Sequence, residues 1–99
     1  MLTGKQKRFL RAEAHHLSPI FQVGKGGVNE NMIKQIGEAL EARELIKVSI
    51  LQNCEQDKDE VASEIHKGTK GEIVQQIGNI IVVYKESKEN KKLELPKVK

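Results

Sequence analysis

Pro19-Ile20-Phe21-Gln22-Val23-Gly24-Lys25-Gly26-Gly27-Val28-Asn29 reads as a short strand, a glycine turn and the opening of a helix. The strand covers Ile20 to Val23. Asn29 is a helix N-cap, because its side chain can accept from an otherwise unpaired backbone N–H. Met32, Ile33, Ile36 and Leu40 then recur with helical spacing, which predicts an amphipathic helix to about Arg43. Gly37 in its interior costs about 1 kcal/mol relative to alanine and is expected to allow close packing. A glycine turn that opens a helix offers bare backbone N–H groups to an anion, with the helix dipole adding favourable charge. Lys25 adds a mobile cation, so Gly24 to Gly27 is where a phosphate would sit.

Outward from this stretch the pattern alternates. Thr3-Gly4-Lys5-Gln6 fits a capping box and starts a helix that runs to about His16, with Leu10, Ala14 and Leu17 on its core side. Ser18-Pro19 ends it. Leu45 to Leu51 alternates as a strand, with Ile46, Val48 and Ile50 facing the core and Lys47 and Ser49 the other side. Asp57 caps a third helix carrying Val61, Ala62 and Ile65, and Gly68 is its expected stop. Glu72 to Gln76 and Ile80 to Tyr84 read as a hairpin. The order helix-strand-helix-strand-helix-strand-strand predicts an α/β fold: one small domain, a four-stranded mixed sheet packed with three helices. The strand–helix–strand units favour parallel pairing with right-handed crossovers, and the last two strands are antiparallel. Residues 1–85 form the domain. Residues 86–99 are rich in Lys, Glu and Asn and read as a flexible, charged tail, with Leu93, Leu95 and Val98 as sparse docking points.

The chain has 99 residues, 31% of them charged and 37% hydrophobic, with no run long enough to span a membrane. The basic N-terminus lacks an apolar segment after it, so a cytoplasmic protein is expected. The single cysteine, Cys54, excludes an internal disulfide. The formal net charge is only +3, but it is unevenly spread. Lys5, Lys7, Arg8, Arg11, Lys25 and Lys34 crowd the first third, while Glu55, Asp57, Asp59, Glu60 and Glu64 crowd one later segment. That asymmetry suits a polyanion on one face with the acidic element turned away.

Nothing matches the G-x-x-x-x-G-K-[ST] nucleotide cradle, and the dinucleotide fingerprint fails at Asn29. What remains is G-x-x-G between a strand and a helix, the pattern with which KH domains clamp a nucleic-acid backbone. Alone it fits a plain tight turn equally well. The basic first helix tips the balance, because Lys5, Lys7, Arg8, Arg11 and His15 would meet phosphates beside Gly24, Lys25, Gly26 and Gly27, with Lys34 on the second helix. Phe9, Phe21 and Tyr84 are the only aromatics, too few for a stacking platform, so backbone shape and charge should dominate. His15, His16 and His66 form no metal set, no constellation supports catalysis, and no cofactor is implied. Lys25→Glu or Gly27→Asp is expected to lower RNA affinity and leave the fold intact.

Leu2-Thr3-Gly4-Lys5-Gln6-Lys7-Arg8-Phe9-Leu10-Arg11 with Ala14-His15, Val23-Gly24-Lys25-Gly26-Gly27-Val28, Ala39-Leu40, Glu44-Leu45-Ile46-Lys47-Val48, Ile73-Val74-Gln75-Gln76-Ile77-Gly78 and Val83-Tyr84 together resemble the YhbY-like proteins. These are the bacterial stand-alone form of the CRM (chloroplast RNA splicing and ribosome maturation) domain. The resemblance implies a fold similar to the C-terminal domain of translation initiation factor three. It also implies RNA binding through the GxxG loop and adjoining basic surface, in precursors of the large ribosomal subunit. A non-enzymatic, monomeric assembly protein bound to ribosomal RNA is the leading expectation. The alternative is a protein-interaction adapter on the ribosome, using the acidic third helix or the tail.

Overall fold

Each helix begins where a side chain accepts an unpaired N–H. Thr3 and Gln6 form the reciprocal capping box, with Gln6 N donating to Thr3 Oγ1 and Thr3 N to Gln6 Oε1, both at 3.1 Å. Asn29 Oδ1 accepts from Met32 N at 2.8 Å, and Asp57 Oδ1 from Glu60 N at 2.9 Å. In the computed structural model, which describes residues 2–89 and 93, the order is α1 (Gly4–Ala14), β1 (Phe21–Val23), α2 (Glu30–Arg43), β2 (Leu45–Ile50), α3 (Lys58–Thr69), β3 (Glu72–Ile77) and β4 (Ile80–Tyr84). The expected α/β domain, with three helices on a four-stranded mixed sheet, is what the chain forms.

The sheet order is β1-β2-β4-β3. β1 runs parallel to β2, with Val23 opposite Ile50, and β4 is antiparallel to both β2 and β3. Parallel pairing therefore holds for the first strand–helix–strand unit and not for the second, where β4 inserts between β2 and β3. Composition explains the insertion. β4 is Ile80-Ile81-Val82-Val83-Tyr84, apolar on both faces and suited to a central position, whereas Gln75 and Gln76 place β3 at an edge.

Two buried clusters lie on opposite faces of the sheet. One joins Val23, Ile46, Val48, Ile81 and Val83 to Ile36 and Leu40 of α2 and Val61 and Ile65 of α3. The other joins Leu45, Val74, Val82 and Tyr84 to Leu10 and Ala14 of α1, with Phe9 and Leu93 at its margin. The strand face holding Lys47 and Ser49 is thus a second packed face, with α1 lying across β3, β4 and β2.

Two glycine expectations are corrected. A Cβ on Gly37 would meet nothing within 4 Å, so Gly37 permits no close approach. Gly68 does not end α3, which continues to Thr69 and stops at Lys70 in the left-handed conformation (φ 63°). Gly68 is instead where α2 and α3 touch: an added Cβ would lie 2.6 Å from Ile33 Cγ2. Beyond β4, Ser87 is buried and Leu93 packs on the α1 cluster. The points Leu95 and Val98, and the flexibility expected of residues 90–92 and 94–99, lie outside the described residues.

Candidate nucleic-acid interface

The glycine turn is held from below and open at its tip. Gly27 N donates to Gly24 O at 3.0 Å, closing the turn. Gly27 has φ +68°, a conformation that favours glycine. Val28 N donates to Gln56 Oε1 at 2.9 Å, and the Gln56 amide fills the space where a Gly27 Cβ would stand, with Cδ 2.8 Å away. The amides of Gly27 and Val28 are thereby spent inside the protein. Lys25 and Gly26 form the exposed tip, and a Cβ on Gly26 would meet nothing within 4 Å. An incoming anion would meet the Lys25 and Gly26 backbone together with the Lys25 ammonium.

The sheet brings a rim of other groups to the same end. Leu51 N donates to Val23 O at 2.9 Å, and Leu51 Cδ1 lies 3.7 Å from the Cβ position of Gly24. Asn79, at the β3–β4 turn, accepts from Ile50 N at 2.7 Å and donates its side-chain amide to Ile50 O at 3.1 Å. Next to that turn, Arg11 and Ala14 of α1 and its C-cap His15 face Lys47, Gln75, Ile77, Ile80 and Val82 across a cleft of about 160 Å³. Lys47 Nζ donates to Leu17 O at 3.0 Å, tying the α1–β1 connection to β2.

Residues 2–85 match the CRS1 / YhbY (CRM) domain. The chain belongs to the CRM family. It is 76% identical over 96 residues to the Bacillus subtilis "Probable RNA-binding protein YqeI", covering 97% of this chain and 100% of that one. It is 40% identical to a Haemophilus influenzae "RNA-binding protein", covering 97% of this chain and 96% of the relative. The solution structure of Staphylococcus aureus SAV1595 superposes with a TM-score of 0.80 at 64% identity, covering 97% of this chain and 100% of that chain.

Within this CRM domain the sequence-selected residues separate into three sets. Gly24, Lys25, Gly26 and Gly27 are the loop, and Arg11 and His15 stand at the same sheet end. Helical spacing places Lys7 one turn before Arg11 on that flank, while Lys5 and Arg8 are exposed. Lys34 is separate. It lines the groove between α2 and α3 with Ile33, Gly37 and Gly68, on the far face of the sheet from α1. The acidic residues Asp59, Glu60 and Glu64 belong to α3 on that far face. Glu55 does not follow them, since it sits in the β2–α3 loop beside Gln56.

Lys47 and Gln56 join the site without having been selected. Lys47 has a signal, being the one cation inside an apolar strand. Gln56 has none, because its contact spans 28 positions of sequence. The expectation that Gly27→Asp leaves the fold intact is also corrected: positive φ and Gln56 both oppose a side chain there, and Gly26 is the position that accepts one. Among the described residues no three His, Cys, Asp or Glu side chains are grouped to hold a metal, and no helix is long and apolar enough to cross a membrane.

Proposed function

We propose that this protein binds RNA through its sugar–phosphate backbone, taking a phosphate at the Lys25–Gly26 tip and neighbouring phosphates on the Lys7–Arg11–His15 flank and Lys47. The observation that carries this reading is the loop's construction. Gln56 and the Gly24–Gly27 hydrogen bond fix its base, and its tip carries only Lys25 and a glycine, with three further basic side chains on the same sheet end. The names of its relatives point the same way. The RNA is ribosomal, in precursors of the large subunit, and the protein is a non-enzymatic, cytoplasmic assembly protein. Lys34 contributes little, because it lies on the other face.

Each neutralised phosphate releases counterions, so affinity falls steeply with salt. Titration of labelled large-subunit precursor RNA at several salt concentrations tests this. Lys25→Glu and Gly26→Asp are expected to lower affinity at least about tenfold with unchanged melting temperature, since each sets a negative charge against a phosphate. Unchanged affinity in these folded variants removes the loop from the function. Crosslinking in cells, followed by sequencing of the attached RNA, is expected to return large-subunit precursors. Recovery of unrelated transcripts only would end the ribosomal assignment.

A further inference from the structure

The cleft beside the loop has the wrong chemistry for a phosphate alone. Its floor is apolar, made by Ile77, Ile80 and Val82. Ile77 is 59% exposed and Leu51, against Gly24, is 38% exposed. Single exposed aliphatic residues are ordinary, but these two lie at one end of the sheet, on either side of the paired Ile50 and Asn79 backbone. The cleft wall carries Arg11 and Lys47, which are donors, and His15 and Gln75, which offer both donor and acceptor atoms. The Gln75 side-chain amide makes no hydrogen bond among the described residues. A phosphate needs donors only. A nucleobase needs an apolar surface for its flat face and mixed donor–acceptor groups for its edge.

We propose that this cleft receives an unpaired nucleobase of the RNA whose phosphate sits on the Lys25–Gly26 tip, so that the protein selects single-stranded nucleotides at this point. The inference rests on the RNA-binding reading above and adds a base site to it. Continuity and charge support it together. Leu51 N pairs with Val23 O beside Gly24, Ile50 pairs with Asn79 at the turn that follows Ile77, and Arg11 and Lys47 line the cleft itself. A base paired in a helix has its edge occupied and its faces stacked, so it cannot lie on Ile77 and reach Gln75. No aromatic side chain is needed, because aliphatic residues cover a base face by apolar contact.

The test compares three RNAs on the full chain by fluorescence anisotropy: a single strand, its blunt duplex, and the same strand with successive single abasic sites that keep every phosphate. The single strand is expected to bind more tightly than the duplex. One abasic position is expected to cost about tenfold, the scale of a single base contact. Ile77→Ser and Gln75→Ala are expected to weaken single-strand binding and to leave duplex binding, salt dependence and melting temperature unchanged. Abasic and intact strands of equal affinity would overturn the base site while leaving the phosphate reading standing. Ile77→Ser that alters no RNA affinity would also overturn it. Wild-type protein that binds none of the three removes both readings.

Discussion

β2 has a buried anion before its first residue, and at its other end lies the exposed cationic loop that follows β1. At the first end Glu44 is fully buried with φ +66°. Its carboxylate accepts from Ser87 N and Leu93 N, each at 2.8 Å, and its carbonyl accepts from Lys85 N at 2.9 Å. Glu41, one turn earlier, accepts from Ser87 Oγ at 2.7 Å, Glu89 N at 3.0 Å and Lys88 N at 3.1 Å. At the other end, no such anion among the described residues faces the Lys25–Gly26 tip. Both ends use one chemistry, backbone N–H groups gathered around negative oxygen. At Glu44 the oxygen is built in, and the result is structure. In the function proposed above, the oxygen at the GKGG turn comes from the RNA.

The largest effect should come from removing the internal anion. Glu44→Ala leaves the buried Ser87 N and the part-buried Leu93 N without their acceptor and keeps the positive-φ backbone, a loss of at least about 3 kcal/mol. The melting temperature should fall by more than about 10 °C in a domain of this size. Glu44→Gln keeps one carbonyl oxygen and should lose less. RNA affinity, measured well below the new melting temperature, should not change. A fall in affinity without a fall in stability would break the division between the two ends.

Gly27→Ala is the matching test at the loop. A methyl group must hold positive φ and push Gln56 off Val28 N, together costing about 2 kcal/mol. Gly26→Ala, with open space and no positive φ, should be nearly neutral in urea denaturation. Equal stability of the two variants would show that Gln56 does not define the turn, and the comparison would lose its rigid partner.

How far these ends could be read in advance follows from the range of the forces involved. Thr3, Asn29 and Asp57 declare their caps because the acceptor and its N–H are three residues apart. Ile46, Val48 and Ile50 declare a buried face because strand alternation is local. The GKGG tip is legible for the same reason. Glu44 is not: a glutamate closing a helix in Glu41-Ala42-Arg43-Glu44 reads as solvated, and its donors Ser87 N and Leu93 N lie more than 40 positions further along the chain. Gln56 is hidden in the same way. The place of β4 depends on which strand buries two faces, a comparison among all four strands. The cleft at Ile77 is assembled from α1, β2, β3 and β4 and has no linear motif.

The smallest effect concerns Tyr84, which pairs with Leu45 at the Glu44 end. Its hydroxyl is buried and has no hydrogen-bond partner among the described residues. Burial, then the charge of Glu44, then that of Glu86 raise its pKa above the ordinary 10.0. The folded protein therefore holds the phenolic proton more tightly than the unfolded chain does. The stability linked to that proton is present in full below pH 10.0 and is lost as the pH rises through the folded value. Tyr84→Phe removes an orphaned hydroxyl and its titration together. Denaturation at pH 7 should show no loss and a gain of up to about 1 kcal/mol, and the alkaline decline in stability should become shallower. A clear loss at pH 7 would mean that the hydroxyl does bond in solution, joining Glu44's network. The anionic end would then hold a third polar anchor, and its contrast with the open loop would be sharper still.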